Sequence, residues 1–295
     1  MLLTDRLVRL LFQLALVFVS PLLSAETCFP DARTRVFSDG MATVGIFLGH
    51  TEWGQISLEV LEKKMNQMKL RRLGRQEEID ILKSKLSASS EKLLGLLDVR
   101  VYQGESQEGK PIQVILFNSE NRINSPVRRS ADVISRAEYG MKLLDEIGKQ
   151  SDLLIYSGHS NYGDGVALTN NWFQDQNGEQ KTVGFNDRKK TYNKSDYYKT
   201  VRTGENAIVA HIGCTTQRYY GTELAKALRC QKSPTLLLTT SRISWGPEMD
   251  KWILELLQFV RKGGSDDKMF SRFRSCETWK HRRKQPAVVI EKVGH

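Results

Sequence analysis

Two residues with the chemistry of a nucleophile and a base, Cys214 and His159, each stand at the end of an apolar run. In DLLIYSGHSNYGDG, Asp152 to Gly165, the run reaches a histidine and breaks at once into Ser, Asn, Gly and Asp. In NAIVAHIGCTTQ, Asn206 to Gln217, a run of the same form delivers a cysteine. A Cys–His pair needs little more than this. The imidazole favours the thiolate or takes its proton, and the thiolate attacks a carbonyl. Gly158 and Gly213 precede the two residues and permit close backbone approach and turns that other residues resist. Between these glycines and the residues that follow, the backbone N–H groups of Cys214 and Ser160 are the candidate oxyanion donors.

Something must bring the two runs side by side. TVGIFLGH (Thr43 to His50) reads as a first strand, VRVYQG (Val99 to Gly104) as a short one and IQVILFNS (Ile112 to Ser119) as a strong one. Further strands are expected at Leu153–Tyr156, Ala207–Ile212 and Thr235–Thr240, with helices from Ser130, Gly221 and Met249. In the helix from Ser130, the spacing places Ala131, Ile134, Ala137, Met141, Leu144 and Ile147 on one face. Continuous apolar strands alternating with amphipathic helices predict an α/β fold with a mostly parallel sheet flanked by helices. In such sheets functional groups collect beyond the carboxyl ends of the strands, where His159 and Cys214 stand. The strands holding them are therefore expected to be adjacent and parallel. A polar insertion, Asn161 to Gly204, separates them, with a hairpin expected through Asp175-Gln176-Asn177-Gly178. Upstream, Ile56 to Leu97 carries apolar residues at helical spacing interrupted at Arg71–Arg75. This reads as a helical hairpin or broken coiled coil, or as two helices laid on the main sheet. The division expected is residues 26–98 as an N-terminal segment with that hairpin and 99–295 as the α/β domain.

An apolar strand ending in His followed by one ending in Gly-Cys resembles the caspase/gingipain-like family of cysteine peptidases. YSGHSNYG and HIGCTT look most like the gingipain-type branch. The resemblance covers Leu153 to about Trp245. It implies a caspase-haemoglobinase three-layer α/β sandwich, His159 as the catalytic histidine, Cys214 as the nucleophile, and a peptide or protein substrate. The family commonly has Gly straight after the histidine, where this chain has Ser160. Ser244-Trp245 resembles a substrate-groove segment of caspases, which marks Trp245 for substrate binding. A pocket for a basic substrate residue wants a carboxylate, and Asp164 is the nearest candidate in sequence.

Other readings stand beside this one. Gly158-His159-Ser160 is similar to the G-x-S-x-G elbow of serine hydrolases, but Tyr162 stands where the closing glycine belongs. His159, His211 and Cys214 are a conceivable metal set without a clear fourth ligand. His211 is better read as a strand residue with a hydrogen-bonded side chain, so no metal and no cofactor is expected. A non-enzyme reading makes the domain a catalytically inactive binding module.

Composition bounds the partners. The 295 residues are 40% hydrophobic and 26% charged, ordinary for a globular chain. Arg6 and Arg9, then the short apolar run LFQLALVFVSPLLSA ending in small residues, form the pattern of a secretory signal peptide cut after Ala25. The run falls short of the ~20 residues a membrane span needs. Losing Met1–Ala25 removes two arginines and one aspartate and takes the net charge from +10 to +9. Such an exported basic protein, periplasmic or secreted, suits anionic surfaces. The basic residues are scattered without a recognition-helix or zinc-finger pattern, which argues against nucleic acid. Of Cys28, Cys214, Cys230 and Cys276, the expected disulfide pair is Cys230 with Cys276.

Overall fold

The computed structural model describes residues 31–49, 54–91, 94, 97–119, 130–159, 165–166, 168, 172–184, 194–241, 246–275 and 288–294. Residues 1–30, which include the expected signal peptide, lie outside them. Asp31–His295 forms one compact unit.

At its centre is an eight-stranded sheet. In chain order the strands are β1 (Ala42–Leu48), β2 (Arg71–Arg72), β3 (Asp98–Glu105), β4 (Pro111–Asn118), β5 (Leu153–Ser157), β8 (Ile208–Ile212), β9 (Thr235–Thr240) and β10 (Val288–Val293). In space they run β10-β9-β8-β5-β1-β4-β3-β2. The five strands β9, β8, β5, β1 and β4 are mutually parallel, while β10, β3 and β2 join antiparallel at the edges. A separate hairpin pairs β6 (Trp172–Gln174) with β7 (Gln180–Thr182) through the expected Asp175–Gly178 turn. Asp175 Oδ1 accepts from Asn177 N at 2.9 Å and Glu179 N at 3.0 Å, and Gly178 supplies the positive φ of 79°.

Strands buried on both faces explain the uninterrupted apolar runs of β1, β5, β8 and β9. One face is covered by α1 (Ala32–Val36), α2 (Gly54–Gln67), α8 (Gly246–Lys262) and α9 (Asp266–Ser275). Their apolar residues, Leu61, Met65, Trp252, Leu256 and Phe273 among them, pack on Val44, Ile46, Ile155 and Ile212. The other face carries α3 (Arg75–Lys85), α5 (Ser130–Lys149), α6 (Lys194–Thr203) and α7 (Thr222–Leu228). There Leu82, Leu144, Ile147, Val201 and Leu224 meet Phe47, Leu154, Tyr156 and Val209. A short α4 (Ala88–Glu91) follows α3. Among the described residues, no helix is long and apolar enough to cross a membrane.

Three expectations change in detail. The helices at either side of Arg71–Arg75 form, but α2 and α3 lie on opposite faces of the sheet with β2 between them, each laid on the main core. Nor does a boundary fall at residue 98, because β1 is an interior strand of the sheet. The buried face of α5 begins at Val133, which is fully buried, while Ala131 is exposed and Ile134 only half-buried. Ala137, Met141, Leu144 and Ile147 face the core as expected.

Candidate active site

Two apolar strands end at the same level beside each other. β5 and β8 are adjacent and parallel, with Ser157 opposite Ile212. The hydrogen-bond ladder continues one step further, as Gly158 N donates to Ile212 O at 3.0 Å. On the other side of β5, Gly49 N donates to Ser157 O at 2.8 Å. The next residues out are His159 and Cys214, so the paired ends deliver both to one edge. His159 is exposed and Cys214 half-buried, carrying a thiol.

This edge is also where the order of the sheet turns. From β1 the chain moves to β4 on one side, then crosses to β5 and continues through β8 to β9 on the other. Open parallel sheets bind ligands beyond the carboxyl ends of their strands at such a switch point. Here it lies between β1 and β5, and His159 follows β5.

The glycines have a measurable reason to be glycine. A Cβ on Gly213 would collide with the Gly158 carbonyl oxygen. One on Gly158 would come within 2.7 Å of the Tyr156 hydroxyl and 2.9 Å of Gly49 Cα. Both therefore serve the close approach read from the sequence. Their amides, however, are already engaged, Gly158 N with Ile212 O and Gly213 N with Thr240 Oγ1 at 3.3 Å. Ser160, Asp164 and Trp245 lie outside the described residues.

The turn after Cys214 is held under strain. Thr215 has φ 56°, a left-handed conformation that a β-branched residue adopts at a cost of roughly 1–3 kcal/mol. Thr216 and Thr240 hold the turn from beneath. Thr216 Oγ1 donates to His211 O at 2.7 Å and accepts from Thr240 N at 2.8 Å, and the two hydroxyls are 2.9 Å apart. Thr240 Oγ1 also donates to Gly213 O. A π-helical turn, Gln217–Gly221, then runs straight into α7. Cys214 thus precedes the amino end of a helix, whose partial positive charge favours a neighbouring anion. Single π turns are rare and recur at functional sites.

The far ends of β5 and β8 are pinned by polar groups that the sequence reading missed. Asn206, fully buried, donates from Nδ2 to Gly148 O at 2.8 Å and to Ser151 O. Its own carbonyl accepts from Thr235 Oγ1 at 2.8 Å, which ties in β9. Asp152 O accepts from both Ala207 N and Ile208 N, at 2.8 and 3.1 Å. A one-residue slip of β8 would turn every side chain to the opposite face, and this clasp forbids it.

Beneath the edge sits an aromatic box around His211. Its imidazole is fully buried, stacked on Tyr220 at 4.2 Å between centroids and met edge-on by Tyr156 at 4.9 Å and Tyr197 at 5.2 Å. Nδ1 lies 3.1 Å from the Tyr197 hydroxyl, which bears out the hydrogen-bonded strand residue expected at this position. Nε2 is buried without a hydrogen-bond partner. Burial pushes the imidazole down to about 3, so His211 is neutral at physiological pH. Among the described residues no three His, Cys, Asp or Glu side chains gather as a metal set. Cys230, expected to pair with Cys276, is instead an exposed thiol 3.7 Å from Lys226 O.

The chemistry such an edge can perform is nucleophilic. A thiol before a helix amino end, with a solvent-reachable imidazole on the next strand, has the parts of a Cys–His dyad. No protein-family model matches this chain, and no curated protein is significantly similar to it.

Proposed function

We propose that the chain is an exported cysteine peptidase-like hydrolase in which Cys214 attacks a peptide carbonyl and His159 moves the proton. The observation that carries this reading is the parallel pairing of β5 with β8, whose ends bear His159 and Cys214 one residue beyond a pair of touching glycines. The sheet order, with its antiparallel last strand and helices on both faces, fits the caspase-like three-layer sandwich that the sequence resemblance implies. In the reaction the Cys214 sulfur adds to the carbonyl carbon. The tetrahedral intermediate collapses as the histidine gives its proton to the leaving amine, and water then hydrolyses the thioester. The oxyanion falls to amides beyond the two glycines, with the Cys214 N–H the nearest candidate. A basic exported protein would meet its peptide or protein substrate near an anionic surface.

A catalytically silent binding module of the same fold is the second reading. Ser160, where the resembled family carries glycine, favours it. Turnover of a general peptide mixture separates the two. Cys214→Ala is expected to abolish hydrolysis by several orders of magnitude, and Ser160→Ala to be far milder. The opposite ranking would identify a serine hydrolase. No turnover by the native chain, together with an unreactive Cys214, would leave the binding module.

A further inference from the structure

The turn that follows Cys214 is tied to two strands beyond its own. Thr216 binds it to β9 through Thr240. The next residue, Gln217, reaches further. Its Oε1 accepts from Thr239 Oγ1 on β9, and its Nε2 donates to Glu291 Oε1 on β10 at 3.0 Å. A hydroxyl on the carbonyl side and a carboxylate on the amino side fix which way the amide points. The register explains the reach. Glu291 lies opposite Leu237, and Val289 lies opposite Thr239. Leu237, Thr239 and Glu291 therefore share one face of the sheet, the face on which α7 packs. Gly221, four residues after Gln217, leaves room for the amide, since a Cβ there would come within 2.6 Å of Gln217 Oε1. From the opposite face Lys292 meets Asp266 of α9 at 3.4 Å.

We propose that Gln217 is a positioning residue that couples the seating of the edge strand β10 to the turn bearing Cys214, so that the thiol reaches full reactivity with Glu291 in place. The inference rests on the Cys–His reading above and adds a control over it from the last strand of the sheet. Gln217 lies three residues from Cys214, and between them Thr215 holds its strained φ of 56°. A residue in that region persists where its surroundings over-determine it, and Thr216 and Gln217 do so on the downstream side. β10 stands at the edge of the sheet, with β9 as its one neighbour there. Its local release would be felt at the Cys214 turn before the core opens.

The test is the iodoacetamide rate of Cys214 in full-length chains, with Cys230 in the same sample as the reference and thermal melting as the check on folding. Gln217→Glu sets a carboxylate against Glu291 and keeps the acceptor for Thr239. It is expected to slow Cys214 about 3- to 10-fold, the factor that one lost hydrogen bond corresponds to, with the Cys230 rate unchanged. Adding Glu291→Gln exchanges the two groups and restores the hydrogen bond, so the double variant should recover the native rate. A rate in Gln217→Glu equal to or faster than native would overturn the proposal. Slowing that the second substitution does not rescue would also overturn it, because it marks damage to the turn and not loss of the link. Glu291→Ala leaves the turn itself untouched and replaces Gln217→Glu should that variant fail to fold. It is expected to slow Cys214 by the same factor, and no slowing would overturn the coupling. His159→Ala tests the dyad separately. An unchanged rate there would sink the dyad, while the Gln217 and Glu291 variants still decide the coupling.

Discussion

Gly213 lies so close to Gly158 that its missing side chain is what lets β5 and β8 stay together to their ends. The contact is backbone to backbone. The Gly158 amide reaches Ile212 O at 3.0 Å, and the Gly158 carbonyl occupies the space a Gly213 Cβ would need. His159 and Cys214, the proposed dyad, follow directly beyond this contact.

Gly213→Ala is therefore expected to part the strand ends. Overpacking against backbone, which cannot rotate away, should cost about 1–3 kcal/mol by urea denaturation. Cys214 alkylation should slow in the same variant. An alanine tolerated with native stability and native thiol reactivity would mean that the ends are free to separate.

Thr215 stores strain beside Cys214, the proposed nucleophile. Thr215→Gly relieves the positive φ, which L residues adopt at a cost of roughly 1–2 kcal/mol, though glycine loses more chain entropy on folding. The net expectation is a gain of up to about 1 kcal/mol in unfolding free energy together with slower hydrolysis. A stabilised variant of full activity would show that the strain has no part in presenting Cys214.

Asn206 sets the register of β8 from its far end. Asn206→Ala leaves the buried carbonyls of Gly148 and Ser151 short of a donor, at an expected cost of about 2–3 kcal/mol. Denaturant titration measures it. A change within about 0.5 kcal/mol, the range of ordinary surface substitutions, would contradict the clasp.

The strands that carry the candidate site were legible because burial on both faces writes itself as an unbroken apolar run. β5 and β8 are such runs, and a glycine followed by a polar turn marks where each stops. The helices were legible where one face is strongly apolar, as in α5 and α8. α6 was not. Its sequence, KSDYYKTVRT, buries only Tyr197, Thr200 and Val201, too few to raise a helical period above its charges. α9 hides in the same way, with Met269 and Phe273 among polar residues. β10 is short and carries charge itself, Glu291 and Lys292, as an edge strand does. The aromatic box was invisible for another reason. Tyr156, Tyr197, His211 and Tyr220 come from four separate elements, and only the fold brings them together.

His211 gives the protein an acid-side liability. Its folded value, pushed down to about 3 by burial, lies below the ordinary value of 6.5. The folded state therefore holds the imidazole neutral while the unfolded chain takes up a proton. Stability is fully present above about pH 6.5 and declines as pH falls toward 3. Tyr156, Tyr197 and Tyr220 face the ring, and burial pushes the Tyr197 phenol well above its ordinary value, so the group that touches Nδ1 does not offset the loss. His211→Phe should flatten the dependence of unfolding free energy on pH between about 6.5 and 4, at some cost in absolute stability from the lost Tyr197 contact. Equally steep curves for the two chains would contradict the burial account.

The central claim is that His159 and Cys214 act together across the ends of β5 and β8. The most direct measurement is the iodoacetamide alkylation rate of Cys214, read by peptide mass against Cys230 in the same folded sample at neutral pH. Cys230 is the more exposed of the two and serves as the reference thiol in the same sample. The account predicts that Cys214 reacts faster than Cys230 despite its lower exposure, and that His159→Ala reverses the order. A Cys214 slower than Cys230 in the native chain, with no change in His159→Ala, would contradict it.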